Sequence, residues 1–260
     1  MERGLPIRAI TRGIAVLSAI NRDGPITMMG ISKSADIPYP TACRIVQTFI
    51  HEGLIEREHA RKRYRATSLV KTLSAGYQIE DELVSVGRPH IEKLTKELGW
   101  PVSLASRVGT RMMVRDSTHK MTSLTFTNYY PGYTLPIAEC ATGKVYLAFC
   151  SDEERETVIE GWKATESETS QAGLLLLRDN EILDRIRRSG FSCQQRNFYN
   201  AEPGKTSAVA VPVMGKDGAI ISGLGIIYFD AALKPEEAAK QFLPYLKNTA
   251  QAISADMHDG

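Results

Sequence analysis

Residues 40–67 read PTACRIVQTFIHEGLIEREHARKRYRAT, and this stretch decides how the first quarter of the chain folds. Ala42, Ile45, Val46 and Phe49 fall at i, i+3, i+4 and i+7, the apolar stripe of an amphipathic helix. Pro40 suits the first turn of that helix, where its missing N–H costs nothing, and Gly53 ends it. The residues off the stripe, Thr41, Arg44, Gln47, Thr48 and His51, are all hydrogen-bonding types. Leu54-Ile55 then opens a short strand, the segment from His59 to Lys62 turns, and Arg63-Tyr64-Arg65 returns. A basic run is commonly just a solvated face. Here Arg57, Arg61, Lys62, Arg63 and Arg65 directly follow a helix with one apolar and one hydrogen-bonding face. A helix entering a DNA groove with a wing beside it on the phosphates needs that arrangement.

The residues upstream complete the unit. Ile10, Ile14, Leu17 and Ile20 form a helical stripe that Asp23-Gly24-Pro25 stops. Thr27 is placed to cap a short second helix, MMGISKSA, which buries Met28, Ile31 and Ala35. Asp36-Ile37-Pro38-Tyr39 is a tight connector, because residues before proline avoid the helical region. Three short helices followed by a basic hairpin predict a winged helix-turn-helix over residues 1–67.

Charge follows the same division. The chain has 260 residues and a net charge of +2, but residues 1–67 hold 11 Lys and Arg against 6 Asp and Glu, a net +5. The remaining 193 residues hold 21 against 24, a net −3. The basic quarter is suited to a polyanion and the rest is not.

Downstream, Ser68 begins a helical stretch through Leu69, Leu73 and Tyr77 that Gly87 and Pro89 interrupt and Ile91, Leu94 and Leu98 resume. It reads as a linker helix over residues 68–99. Beyond Pro101 the period changes. VSLASR and RMMVRDS flank Val108-Gly109-Thr110 as a hairpin, and SLTFT reads as a further strand. ATGKVYLAFC, residues 141–150, is a helix buried on most sides, and Ser151 with Glu154 makes a capping box for the next. LRDNEILDRIRRSG is amphipathic and closed by Gly190. TSAVAVPVM and AIISGLGIIYF are apolar strands joined across Lys216-Asp217-Gly218, and a last helix opens at Pro235 with a bend at Pro244. Without regular βαβ spacing, residues 100–260 predict an α+β domain around an antiparallel sheet.

Other functions find little support. EPGKTS resembles the end of a phosphate loop, but the pattern needs glycine where Tyr199 stands and a following helix, not an apolar strand. Ala141-Thr142-Gly143-Lys144 lacks the upstream glycine too. The histidines are dispersed. Cys43, Cys140, Cys150 and Cys193 form no C-x-x-C pair, so they read as thiols, with no metal site and no cofactor expected. No catalytic constellation is visible. The alternative kept open is an enzyme or nucleotide-binding protein with an accessory nucleic-acid-binding domain. RNA is disfavoured for want of an aromatic-studded sheet. MERGLPIRAITRG lacks the apolar core of a signal peptide and no run approaches membrane-spanning length, which points to the cytoplasm without membrane contact.

TRGIAVLSAI, IPYPTACRIVQTFIHEGLIER and RYRAT together resemble the helix-turn-helix of the IclR family of bacterial transcriptional regulators. LPIAECATGKVYLAF and GFSCQQRNFYNAEPGKTSAVAVPVMGKDGAIISGLGIIYF resemble that family's GAF-like effector-binding domain, so the likeness covers nearly the whole chain. Within the family, VRDSTHK and LTFT most resemble regulators of aromatic-acid breakdown, the 3-hydroxyphenylpropionate branch. The resemblance implies a homodimer or tetramer on double-stranded operator DNA, modulated by a small organic acid. It places Thr41 and Arg44, with Tyr39 and Gln47, at base edges or nearby phosphates, and Arg61, Lys62, Arg63 and Arg65 on the backbone. Tyr39 and Pro40 stand where the family commonly has a basic residue and a serine. The family's effector contacts map onto Thr122, Thr125, Ala141 and Phe198, and onto Thr206, Ala208, Gly225 and Ile227 in the last two strands. The segment CQQRNFYN lacks the acidic residues the family carries after the glycine matching Gly190. An anionic effector needs an anchor, for which Arg115 and Arg196 are the candidates.

Overall fold

The computed structural model of the chain describes residues 7–58, 61–74, 82–124, 129–163, 173, 180–195 and 206–259. Its contacts divide it into two units, Met1–Glu80 and Asp81–Gly260.

The first unit packs α1 (Arg8–Asp23), α2 (Met28–Ser34) and α3 (Tyr39–His51) around Val16, Ile20, Ile31, Ile37, Ala42, Val46 and Ile55. Thr27 caps α2 by accepting from the Gly30 N–H at 3.2 Å, a contact of the kind that contributes about 1 kcal/mol. Between α2 and α3, Asp36 takes a left-handed φ of 52° and the Ser32 hydroxyl donates to the Ile37 carbonyl at 2.7 Å. Strands β2 (Ile55–Glu58) and β3 (Arg63–Ala66) form the hairpin. A third strand, β1 (Ile26–Thr27), pairs with β3 and was not visible in the sequence. It ties the wing to the start of α2.

Three expectations are corrected. The buried face of α1 is Val16, Ala19 and Ile20, whereas Ile10 and Ile14 are 57% and 62% exposed. They line an open apolar groove with Leu17, Ile45, Phe49 and Leu73. Secondly, the linker segment is not one interrupted helix. Ser68–Ser74 is a 3-10 helix, and α4 (Glu82–Leu98) runs unbroken through Gly87 and Pro89. Gly87 is there for contact: a Cβ would stand 2.4 Å from Leu104 Cδ1. Leu83, Ile91 and Leu94 of α4 belong to the core of the second unit. Thirdly, Ser123 and Leu124 of SLTFT lie in a bend; residues 125–127 are outside the described set.

The second unit is a six-stranded antiparallel sheet in the order β6-β5-β4-β9-β8-β7. Its strands are β4 (Val102–Val108), β5 (Arg111–Ser117), β6 (Thr134–Pro136), β7 (Ser192–Gln194), β8 (Thr206–Met214) and β9 (Ile220–Phe229). Both expected hairpins form, with Gly109 and Gly218 at φ 60° and 74° in their turns. The short edge strands β6 and β7 had no sequence signal. On one face α4 and α8 (Pro235–Asp259) pack against Val102, Leu104, Val209, Val211, Leu224 and Ile226. Phe242, Leu246 and Ile253 of α8 are fully buried there, each worth roughly 1.5–3 kcal/mol. The other face receives α5 (Ala141–Phe149), with α6 (Asp152–Lys163) and α7 (Asn180–Ser189) outside it. Of the expected capping box, the Ser151 half is present: its hydroxyl accepts from the Glu154 N–H at 3.1 Å. The Glu154 carboxylate instead accepts from Tyr146 and Arg107.

Among the described residues no helix is long and apolar enough to cross a membrane, and no cluster of three or more His, Cys, Asp or Glu could hold a metal. All four cysteines are free thiols.

Candidate nucleic-acid interface and effector pocket

The outer face of α3 carries Tyr39, Arg44, Gln47, Thr48 and His51, all exposed, with Thr41 half-buried at its first turn. Thr48 donates to the Arg44 carbonyl at 3.0 Å, which draws that hydroxyl back onto the helix and leaves Arg44 and Gln47 as the long reaching side chains. Arg61, Lys62 and Arg63 are exposed on the wing, and Lys62 holds its turn with a φ of 50°. Arg65 differs. Its Nε donates to Glu56 across the hairpin at 2.6 Å, an exposed pair worth at most about 1 kcal/mol. The wing is therefore less basic than its sequence: Glu56 and Glu58 sit in register with Arg65 and Arg63.

In the second unit a cavity lies between the sheet and the N-terminal end of α5. The space open to the centre of a water-sized sphere is about 40 Å³. Small side chains make it: Ala105, Ala208, Ala210 and Gly225 line its sheet wall, with Met112, Val114 and Ile227. Glycines also set the height of α5. A Cβ on Gly223 would stand 2.8 Å from Thr142 Cβ, and one on Gly143 would stand 1.8 Å from the Ile137 carbonyl oxygen. These contacts give the ATG and GLG motifs a physical reason.

The polar wall is Ser103, Tyr129, Glu139, Cys140, Thr142 and Gln194. Burial pushes the Tyr129 phenol up to about 12, and its hydroxyl lies 3.5 Å from that of Thr206. Burial likewise raises the Cys140 thiol, while the Thr142 hydroxyl donates to its sulfur at 3.6 Å. Gln194 donates through Nε2 to the Gln195 carbonyl at 2.8 Å. Lys144 stands outside the wall and is mostly buried. Desolvation lowers its pKa, opposed by the nearby Cys140, Glu139 and Cys193. The N-cap of α5, Cys140, makes no side-chain cap bond, so the positive end of the helix faces the cavity through Ala141 and Thr142.

Of the sequence-expected contacts, the structure brings Ala141, Ala208, Gly225 and Ile227 together in this wall. Thr206 is buried behind it, beside Tyr129. Thr122 lies apart, donating to the Gly99 carbonyl at 2.6 Å and accepting from the Leu124 N–H at 3.1 Å. Arg115 is the extra residue of a β-bulge, between Val114 and Asp116, and is not in the wall. Thr125, Arg196 and Phe198, and the Gly204-Lys205 pair, lie outside the described residues. The sequence reading missed Ser103, Tyr129, Glu139, Thr142 and Gln194. A carboxylate inside the apolar run LPIAECATG was a signal available for Glu139, since a buried Glu needs a reason.

Known proteins align with both units. Residues 9–59 match the model of the IclR helix-turn-helix domain, and residues 77–255 match that of the bacterial transcriptional regulator IclR C-terminal domain. The regulator KdgR of Escherichia coli is 25% identical over 97% of this chain and 94% of its own length. The transcriptional repressor YiaJ of the same organism is 25% identical over 98% of this chain and 90% of its own. Among solved structures, the IclR of Thermotoga maritima superposes with a TM-score of 0.63 at 19% identity, covering 96% and 98% of the two chains. An IclR homologue of Microbacterium hydrocarbonoxydans, solved with 4-hydroxybenzoate, gives 0.65 at 20% identity over 97% and 100%. The family is one of transcription regulators rather than enzymes, and with its helix-turn-helix, its curled antiparallel sheet and both family models matched, this chain is a DNA-binding transcriptional regulator of the IclR family.

Proposed function

We propose that operator binding by this regulator is modulated by a compact organic acid held in the cavity beneath α5. The observation that carries the reading is that cavity: a polar-studded space inside the domain, onto which the N-terminal end of a helix opens. N–H groups at a helix N-terminus receive a carboxylate readily. They take over the anchoring role first sought in Arg115. An aromatic acid fits the class, as in the Microbacterium homologue solved with 4-hydroxybenzoate. Leucine at position 208 would fill the space. Compact carboxylates that raise the melting temperature of the wild type should leave that of Ala208→Leu unmoved, because only ligand bound to the native state stabilises it. An undiminished response in the variant contradicts the assignment.

A ligand regulates only by binding one arrangement of the protein more tightly than another. A route for this bias starts at Val114 in the wall. Two residues on, the buried Asp116 accepts from Arg88 of α4 at 2.8 Å, and Arg88 also binds Glu92 at 2.5 Å. In sequence α4 follows the segment that leaves the DNA-binding unit. The apolar groove of Ile10, Ile14 and Leu73 supports self-association into a dimer or tetramer, since exposed patches of this kind mark interaction sites. Two α3 helices would then read half-sites about 34 Å apart, or a multiple of it.

On the DNA, Arg44, Gln47, Tyr39 and Thr41 address base edges or adjacent phosphates, while Arg61, Lys62, Arg63 and Arg65 meet backbone. Arg63→Ala should weaken binding to specific and random duplexes alike and lower the slope of log affinity against log salt by about 1. A loss confined to the specific duplex, measured by fluorescence anisotropy, contradicts the wing assignment.

A further inference from the structure

We propose that Glu139 is a specificity-determining residue of the effector pocket, selecting organic acids that carry a hydroxyl group over their deoxy analogues. The inference rests on reading the cavity as the effector site.

Glu139 ends the short 3-10 helix Ile137–Glu139 immediately before α5. It is 6% exposed, and what surface it keeps lines the cavity. No Lys, Arg or His side chain lines the cavity among the described residues, so Glu139 supplies its formal charge. A carboxylate in that position acts as an acceptor. Facing the apolar edge of a ligand it is desolvated without return. Facing a hydroxyl it gains a charge-assisted O–H···O bond.

That preference could also be met by an ammonium group. Lys144, one turn into α5, decides against it. Its charge and that of Glu139 already attract one another. A second cation would have to share the site with Lys144, whereas a neutral hydroxyl adds a donor and no charge. The ligand class is therefore a compact hydroxy acid, with its carboxylate at the start of α5 and its hydroxyl toward Glu139. Sites built to hydrogen-bond a hydroxyl reject the analogue lacking it more strongly than apolar pockets reject an extra group.

The test is calorimetric titration of the full-length protein with matched probes: benzoate with its 3- and 4-hydroxy forms, phenylpropionate with its 3-hydroxy form, and propionate with lactate and alanine. The expected result is at least one pair in which the hydroxy acid binds wild type about 10- to 100-fold more tightly than its deoxy partner. In Glu139→Ala the two members converge to within a few-fold. Glu139→Gln, which keeps the shape and an acceptor but loses the charge, falls between them and serves if the alanine variant melts early. Equal binding of deoxy and hydroxy members to wild type overturns the inference, as does a preference that survives in both variants. Tighter binding of alanine than lactate overturns it in favour of an ammonium ligand. Failure of every probe to bind wild type falls on the effector reading of the cavity itself.

Discussion

Gly143→Ala lowers the stability of the second unit by at least about 3 kcal/mol, which for a domain of this size is a fall in melting temperature of roughly 6–12 °C. The added methyl would stand 1.8 Å from the Ile137 carbonyl oxygen and 2.6 Å from its carbon. Both are backbone atoms. Ile137 cannot retreat, because its side chain is fully buried and its N–H is bonded to the Thr110 carbonyl at 3.2 Å. Helix α5 must therefore lift, and Thr142 would lose its close seat over Gly223 and Gly225. The cavity opens as a result, so ligand binding goes with stability. Gly99→Ala is the control: it has a left-handed φ of 76° but nothing within 4 Å of an added Cβ, and should cost only about 1–2 kcal/mol. Thermal denaturation of the two variants beside wild type checks the contrast. Equal melting temperatures would contradict the packing of α5 on the Ile137 turn.

Arg44→Ala produces the second large effect, and on a different property. Arg44 is exposed on the outer face of α3, level with Gln47 one turn further on. A guanidinium at a base edge contributes about 1–3 kcal/mol of discrimination, so affinity for the operator should fall roughly 5- to 150-fold. Random duplex should be affected far less, because it offers the same phosphates but not the same edges. Melting temperature should not change, since the core beneath α3 is made by Ala42 and Val46. This pattern is the opposite of that expected for Arg63→Ala, and measuring both variants on both duplexes separates base reading from phosphate binding. Parallel losses on the two duplexes for Arg44→Ala would remove it from the reading face.

The legible parts of the fold were those specified by neighbours in sequence. The stripe of α3, the Thr27 cap and the turns at Gly109 and Gly218 depend on residues a few positions apart, and all are present. What the sequence hid depends on distant partners. Strands β1, β6 and β7 are two or three residues long and exist because β3, β5 and β8 run beside them. Gly87 and Pro89 are helix breakers by propensity, but burial of Leu83, Ile91 and Leu94 against the sheet holds α4 straight through them. Ile10 and Ile14 have the right period and still face outward, because Val16, Ala19 and Ile20 turn another face of α1 inward. The pocket divides in the same way. Its small residues stood in recognisable motifs around Ala141, Ala208 and Gly225, but its polar groups come from separate segments that only the folded sheet assembles. Arg115 looked like an anchor on charge alone; a β-bulge sets it outside the wall.

The central claim is sequence-specific DNA binding through α3 and the wing. Its most direct test is the affinity of the purified protein for the DNA upstream of its own gene, beside a scrambled duplex of equal length, across a salt series. The account predicts tighter binding to the upstream DNA at every salt concentration, with log affinity falling linearly and steeply for both duplexes as log salt rises. Absence of binding to either duplex at low salt, where phosphate contacts are strongest, would contradict it.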